Sequence, residues 1–406
     1  MTALLGYCLN VHPGESLAEL TRLLAGPVSS VRALASPREP LPVGLWFPAR
    51  VAAALAGDPA IAAGLRERLE GLELRPFTVN AFPAGDFHAR EVKRAVYRPT
   101  WSDPARLRHT ADACRALARL LPEGARGSVS TVPVSYKAFL EGEAGLAAAG
   151  EALGRLALLL ATDPELAGRD LSLGLEPEPL ATLETTAEAV AFLERHVLGG
   201  AGRQVLRDAG LSAARAEGLL RTRIGVCLDA CHLACEFERA DDAVARLNAA
   251  GLRVAKVQLS SALRLLDPAR NAAGRRRLLA FAEPRWLHQA LGRLPSGGLV
   301  RAEDLDGLLG PDASLRAAFA AAEEVRVHFH VPLGWAGDAE LGTTRDDLLA
   351  SLPALCQATD HLEVETYTFS ALPAPERARW GDDVVPMVAA ELAWARAALA
   401  RAGPGA

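Results

Sequence analysis

Short apolar runs alternate along the chain with longer stretches in which apolar residues recur every three or four positions. The runs are typical of buried strands, and the longer spacing is typical of amphipathic helices. Helices are predicted at Ser16–Leu24, Arg50–Leu55, Pro104–Leu121, Glu143–Thr162, Thr186–His196 and Asp241–Ala249. Strands are predicted at Leu4–Leu9, Leu41–Phe47, Phe77–Asn80, Ser128–Val134, Leu171–Leu175, Ile224–Asp229 and Arg253–Leu259.

Strands that alternate with helices in this way favour a parallel sheet, and about eight such units indicate a (β/α)8 TIM barrel. The alternative, an open doubly wound sheet, lacks support because no glycine-rich phosphate-binding sequence follows the first strand. The 406 residues exceed the roughly 250 of a simple barrel. We therefore predict one barrel domain over residues 1–406, with an insertion after the seventh strand at residues 262–324.

Two further strand-like segments compete for the eighth position of the barrel. They are Val325–Val331 and Leu362–Tyr367. We assign Leu362–Tyr367 to the barrel and interpret Val325–Val331 as an accessory strand.

Polar residues concentrate where the predicted strands end, while the strand bodies stay apolar. In a barrel of this type, the carboxyl ends of the strands form the active-site face. The polar residues at these ends are Asn10, His12, Asn80, Tyr136, Lys137, Glu176, Glu178, Asp229, His232, Gln258, Glu363 and Glu365.

Four of these residues carry side-chain oxygens and end four different strands: Glu176, Asp229, Gln258 and Glu365. Oxygen ligands suit a hard divalent ion, so we predict one Mn²⁺ or Mg²⁺ site here, with Zn²⁺ or Co²⁺ as alternatives. Each acid taken alone has another interpretation, which is to cap the following helix or to pair with an arginine.

Histidines add a second group of candidates. His232 lies three residues after Asp229, so both can face the same opening. His328 and His330 alternate with apolar residues, which on a strand points both to one face. A histidine can be the third metal ligand in place of Gln258, can bind substrate or can be purely structural.

Lysine is rare in this chain. Among 44 basic residues only Lys93, Lys137 and Lys256 are lysines. Lys137 and Lys256 follow or lie within predicted strands, where an ammonium can neutralise a developing oxyanion or a phosphate. Chance placement on the surface is the competing interpretation.

Composition and charge narrow the function classes. Hydrophobic residues make up 50% and the formal net charge is −5, which is ordinary for a globular protein and argues against a nucleic-acid partner. No apolar run reaches the roughly 18 residues of a membrane span, and the amino terminus lacks signal-peptide features. The six cysteines show no CxxC pair. We therefore expect reduced thiols and a cytoplasmic location.

The residues at the strand ends resemble those of the xylose-isomerase-like barrel superfamily of sugar isomerases, epimerases and dehydratases. The members of that superfamily place a glutamate, an aspartate with a histidine three residues later, a histidine or glutamine, and a final glutamate on the last four strands. The matching positions here are Glu176, Asp229 with His232, Gln258 and Glu365.

A narrower resemblance is to the EboE-type metabolite-traffic proteins. It is carried by the segments Phe77–Trp101, Leu175–Pro179, Val226–Glu238, Val254–Ala262, Val327–Leu333 and Leu362–Phe369. The resemblance implies a role in handling secondary-metabolite precursors, with other proteins of that pathway as partners. The histidine-bearing extra strand and the long insertion depart from the simple epimerases.

The leading hypothesis is a metal-dependent isomerase or epimerase that forms an enediolate from a small sugar or cyclitol. The predicted catalytic residues are Glu176, Glu365, His232 and Lys137, and the predicted substrate-binding residues are His12, Asn80, Tyr136, Lys256 and His330. A binding protein that keeps the site without catalysis is the alternative. A nuclease with the same barrel would need several zinc ions, more histidines and a basic groove. A homodimer is compatible with the sequence.

Overall fold

The computed structural model describes residues 3–305, 308 and 310–402. Eight strands form a closed parallel barrel. They are β1 (Leu4–Cys8), β2 (Leu41–Trp46), β3 (Leu74–Asn80), β4 (Gly127–Thr131), β5 (Leu171–Leu175), β6 (Ile224–Asp229), β7 (Arg253–Leu259) and β13 (His361–Val364). Around the barrel the order is β1-β13-β7-β6-β5-β4-β3-β2.

The first and last barrel strands close the ring. Leu5 of β1 lies beside Leu362 of β13, and Tyr7 lies beside Val43 of β2. Every residue of β4, β5, β6 and β13 is buried, because side chains fill the interior and helices cover the outside. The prediction of a (β/α)8 barrel is confirmed.

The described helices alternate with the barrel strands or lie in the segment between β7 and β13. They are α1 (Leu17–Leu23), α2 (Ser29–Ala35), α3 (Ala49–Gly57), α4 (Pro59–Gly71), α5 (Pro104–Leu120), α6 (Gly142–Thr162), α7 (Thr186–Phe192), α8 (Ala201–Asp208), α9 (Ala213–Arg223), α10 (Ala230–Cys235), α11 (Ala240–Ala249), α12 (Ala272–Leu279), α13 (Ala313–Ala320), α14 (Arg345–Ala358), α15 (Ala374–Arg377) and α16 (Val384–Ala402).

A second, antiparallel sheet is inserted between the seventh and eighth barrel strands. Its strands are β8 (Leu263–Leu266), β9 (Ala290–Arg293), β10 (Leu299–Ala302), β11 (Glu324–Val327) and β12 (Gly342–Thr343). Their order in the sheet is β10-β9-β11-β8-β12. This sheet extends beyond residue 324. The domain boundaries, one domain over 1–406 with an insertion at 262–324, stay a prediction.

The two candidates for the eighth barrel strand are now separated. The segment predicted as Leu362–Tyr367 contributes β13 to the barrel, whereas the accessory segment contributes β11 to the inserted sheet, between β8 and β9. Strand β11 ends at Val327, so His328 and His330 lie in the loop that follows it. Their common direction is therefore set by this loop and not by strand alternation.

Helix α6 is long and apolar enough to cross a membrane by length and composition alone, and it is the one such helix in the described part of the chain. In the structure it packs against α8 and α9. Leu153, Leu156 and Leu160 of this helix are buried. An outer helix of a barrel needs an apolar face of this kind, so the composition of α6 is explained by packing.

Candidate metal and active site

Three acids meet at the carboxyl end of the barrel. Glu176 follows β5, Asp229 ends β6, and Glu365 follows β13. Each offers a carboxylate oxygen, and the three oxygens lie within 4.8 Å of one another. All three side chains are buried. The arrangement brings together three of the four predicted metal ligands.

Hydrogen bonds orient two of these acids. Asn10 and Asn80 donate to Oε1 of Glu365 over 2.7 and 3.1 Å. Oδ1 of Asp229 accepts from the Ser260 hydroxyl at 2.8 Å and from the backbone N–H of His232 at 2.9 Å. The acids are therefore held in place before any ligand binds.

The cluster fits a divalent cation. Burial, reinforced by the charges of Glu365 and Asp229, raises the pKa of Glu176 well above its usual range. Burial, reinforced by Asp229, does the same to the pKa of Glu365. Among the described residues, Oε2 of Glu176 and Oδ2 of Asp229 have no hydrogen-bond partner. Buried carboxylates need a positive partner, and a hard ion with oxygen ligands supplies one.

Gln258 lies beside this cluster, next to Asp229 in strand register. Its Oε1 accepts a hydrogen bond from the Cys227 thiol at 3.2 Å. Its Nε2 is buried and has no partner within the described residues. Its role as a metal ligand stays a prediction.

Lys256 and Glu363 form an ion pair inside the barrel. Nζ of Lys256 lies 2.5 Å from Oε2 of Glu363, and both side chains are fully buried. Burial opposes the charge on Lys256, but Glu363 and Cys227 outweigh it, so the pKa of Lys256 is raised. The positive charge of Lys256 also opposes the rise that burial and the neighbouring acids impose on the pKa of Glu176. Lys256 therefore acts on the acid cluster through its charge.

Three histidines stand beside the acids. Nε2 of His232 lies 3.0 Å from Nε2 of His328, which lies 3.2 Å from Nε2 of His330. Burial lowers the pKa of His232 to about 4 and that of His328 well below its usual value. These two imidazoles are neutral at pH 7.

Next to these three histidines lies a hydrogen-bonded group that the sequence did not reveal. It contacts them through Gln289, whose Oε1 lies 2.9 Å from Nδ1 of His328. The hydroxyl of Tyr97 donates to Oε1 of Glu178 at 2.7 Å, and Nε2 of Gln289 donates to the Tyr97 oxygen at 2.9 Å. Burial raises the pKa of Glu178 to about 8. Tyr97 and Gln289 come from loops outside the barrel strands, so the strand-end pattern gave no signal for them.

A cavity opens above the acids, and aromatic rings form much of its wall. Within the described residues its lining is Asn10, Asn80, Phe82, Pro83, Phe87, Val96, Tyr97, Glu176, Glu178, His232, Trp286, Leu287, Gln289, His328, His330, Glu365 and Tyr367. Apolar walls with a few convergent polar groups are typical of a small-molecule site.

Some predicted site residues lie away from this cavity. His12 contacts the Tyr7 hydroxyl through Nε2 at 3.2 Å, and Tyr136 donates to Oε1 of Glu303 at 2.9 Å. Lys137 is half exposed and forms ion pairs with Glu184 and Glu188. The cavity lining includes the predicted residues Asn80 and His330 but, among the residues described, not His12, Tyr136, Lys137 or Lys256.

Comparisons with known proteins concern the fold. No protein-family model matches the chain, and no match was found among curated proteins. A solved L-ribulose 3-epimerase has 15% identity and a TM-score of 0.49, covering 99% of this chain and 96% of that one. The IOLI protein with a binding zinc atom has 12% identity and a TM-score of 0.48, covering 98% of this chain and 99% of that one.

A third solved structure reaches a TM-score of 0.50. It is a xylose isomerase-like TIM barrel protein from Mycobacterium smegmatis in complex with magnesium, 13% identical, and the match covers 99% of this chain and 98% of that one. At this identity the likeness concerns the fold alone. The chain is a (β/α)8 barrel that shares its fold with a xylose isomerase-like protein and carries a buried acid cluster at its mouth.

Proposed function

We propose that this protein is a metal-dependent isomerase or epimerase of a small sugar-like or cyclitol-like carbonyl compound. The observation that carries the proposal is the meeting of Glu176, Asp229 and Glu365 within 4.8 Å beside a small-molecule cavity. These three acids would hold the ion, with Gln258 as the predicted fourth ligand. Mn²⁺ or Mg²⁺ suits such oxygen ligands best.

When bound, the ion supplies Lewis-acid chemistry that acidifies the C–H bond next to a chelated carbonyl. Glu176 is the better-placed base, because it lines the cavity and its Oε2 has no partner in the described part of the chain. Glu365 has one oxygen already bound by Asn10 and Asn80. When the product is the epimer, Glu365 must start protonated and give its own proton to the opposite face of the carbon, while Glu176 keeps the proton it took.

His232 lines the same cavity and keeps Nε2 directed towards the acids, 3.8 Å from Oδ1 of Asp229. While no ion occupies this Nε2, it accepts a hydrogen bond from a substrate hydroxyl or takes up its proton. Lys137 pairs with Glu184 outside the cavity lining, so its predicted catalytic role has less support than that of the acids.

Proton exchange tests the reaction directly. The full chain is loaded with Mn²⁺ and incubated in D₂O with a panel of ketopentoses, ketohexoses and keto-cyclitols, and deuterium at carbon is followed by NMR. We expect exchange into at least one of them. Glu176→Gln should slow that exchange by about 10²–10⁴-fold, the usual contribution of a general base. Glu188→Gln, beside Lys137 and outside the cavity lining, is the control.

Metal analysis provides the second arm. We expect the purified protein to retain a divalent ion and to melt at a higher temperature when Mn²⁺ is added, because a ligand that binds only the folded state stabilises it. Glu176→Gln combined with Glu365→Gln should abolish that shift at this site. Tight binding of a panel compound without exchange would refute catalysis and support the alternative, a protein that binds the compound without converting it.

The narrower assignments rest on sequence resemblance alone. The EboE-type likeness would place the substrate among secondary-metabolite precursors, handled with other proteins of one pathway. A cytoplasmic location, proposed from the unpaired cysteines, and a homodimer do not depend on that likeness. Co-purification of the tagged chain with neighbouring gene products, and its mass in solution, are the measurements that test them.

A further inference from the structure

The protonation of the three histidines follows from what their Nδ1 atoms contact. Nδ1 of His232 lies 2.9 Å from the carbonyl oxygen of Pro177, and Nδ1 of His330 lies 2.7 Å from the carbonyl oxygen of Glu365. A carbonyl oxygen only accepts, so each of these Nδ1 atoms carries the proton. In each ring Nε2 is therefore the nitrogen that can offer a lone pair.

The same holds for His328, whose Nδ1 lies 2.9 Å from Oε1 of Gln289. The orientation of that carboxamide is fixed by its other end. Nε2 of Gln289 lies 2.9 Å from the Tyr97 hydroxyl and 3.3 Å from both Oε1 of Glu178 and the carbonyl oxygen of Pro179. Those oxygens need a donor, so Oε1 must face His328.

The Nε2 atoms of His232 and His330 consequently both lie against Nε2 of His328. The Nε2–Nε2 distances of 3.0 and 3.2 Å have the length of hydrogen bonds, but a ring whose proton lies on Nδ1 has none to place between them. The Tyr367 hydroxyl, 3.5 Å from Nε2 of His328, can supply a proton to that ring only. Nitrogens bound at about 2.0–2.1 Å to one ion lie about 3.0–3.4 Å apart. The His232–His328 and His328–His330 pairs have this spacing.

We propose that His232, His328 and His330 form a second metal site, distinct from the acid cluster. The three hydrogen bonds donated by Nδ1 are the contacts that commonly orient metal-binding histidines. Imidazole ligands favour a borderline ion such as Zn²⁺ or Co²⁺ over Mg²⁺ or Mn²⁺. The proposal does not depend on the proposed isomerase or epimerase reaction.

Asp229 connects the two sites. Its Oδ1 lies 3.8 Å from Nε2 of His232 and 4.0 Å from Nε2 of His330, while its other oxygen has no partner in the described residues. A small shift would make it the fourth ligand of the histidine site. The two ions would then sit on either side of one carboxylate, with nitrogen ligands on one side and oxygen ligands on the other.

Cobalt binding tests the site without any substrate. The full chain is stripped with a chelator and titrated with Co²⁺, and visible absorption and elemental analysis report the stoichiometry. We expect two equivalents in the unchanged protein. One should remain in His328→Gln combined with His330→Gln, and one in Glu176→Gln combined with Glu365→Gln. His196→Gln, which lies in the helical segment after α7, should keep two.

Loss of the same single equivalent in both double variants would overturn the proposal, as would two unchanged equivalents in the histidine variant. Crystals of the unchanged protein soaked in Zn²⁺ give a measurement that needs no variant. An anomalous peak within bonding distance of the three Nε2 atoms is expected, and a peak at the acids alone would refute the site. Absence of substrate exchange would count against the isomerase or epimerase and leave this result untouched.

Discussion

Lys256 carries a positive charge in a fully buried position. An ammonium buried completely inside a barrel must have a counter-charge, and Glu363 provides it at 2.5 Å. Removing one partner of such a pair leaves the other charge buried and unpaired, which is far more costly than removing both. The part of the barrel that holds the acids above this pair therefore depends on both of its charges.

We expect Lys256→Met to lower the free energy of unfolding by about 3–5 kcal/mol, measured by urea denaturation at pH 7. Lys256→Met combined with Glu363→Leu should recover most of that loss, because no isolated charge then remains. If the double variant is as unstable as the sum of the two single variants, the ion pair does not explain why both charges are buried in the interior of this barrel.

At the scale of residues, the sequence revealed the acids and missed their support. Glu176, Asp229 and Glu365 could be predicted to meet because parallel strands bring their carboxyl ends to one face. Tyr97 and Gln289 could not, since each reaches the site from a loop whose path depends on tertiary packing. His12 and Lys137 were also predicted at strand ends, but they lie four and six residues beyond β1 and β4, and their side chains contact Tyr7 and Glu184.

Among the elements, strand β2 must pass close to the Lys256–Glu363 pair. A Cβ atom built on Gly44 would lie 1.4 Å from Oε1 of Glu363 and 2.5 Å from its Cδ. Because glycine has no side chain, β2 leaves room at Gly44 for the buried carboxylate of Glu363. Glycine within a strand often marks such a close approach.

Gly44→Ala should therefore destabilise the protein by about 1–3 kcal/mol through overpacking. Gly64→Ala is the matched control, since Gly64 lies within α4 and has no heavy atom within 4 Å of the added Cβ. That change should be neutral or stabilise by up to about 1 kcal/mol, because alanine favours a helix. Equal effects of the two changes on the thermal midpoint would contradict this account of β2.

Strand assignment also shows where sequence patterns are sufficient. The barrel strands were recognisable as apolar runs, and the choice of the last of them was right. The inserted sheet was missed, except for β11, because β8, β9 and β10 have four residues each and β12 has two. Runs this short do not show the alternation of apolar and polar residues that identifies a strand.

For the whole molecule, Glu391 joins the carboxyl-terminal helix to the barrel. From α16 its Oε1 accepts hydrogen bonds from the backbone of Leu333 at 3.0 Å and from the Thr366 hydroxyl at 2.7 Å. Burial raises the pKa of Glu391 to about 7, although both hydrogen bonds oppose that rise. The fold consequently favours its protonated form.

Because folding raises the pKa of Glu391, the protein loses stability as the pH rises from the pKa of the unfolded state, near 4.5, through the pKa of the folded state, about 7. Ionisation of Glu391 should therefore cost about 3 kcal/mol by pH 8. Glu391→Gln keeps the acceptor and removes the titration. We expect it to match the unchanged protein at pH 5 and to exceed it in stability at pH 8, as measured by denaturant unfolding. A constant difference across this range would rule out Glu391 as the cause.

The placement of His328 and His330 has a consequence for how related proteins can diverge in metal preference. Both follow β11 of the inserted sheet, whereas His232 and the three acids stand on the barrel itself. A change confined to the insertion can add or delete two imidazoles at the barrel mouth while the oxygen ligands stay where they are. Relatives that differ in this one segment can thus diverge in metal preference without altering the barrel strands.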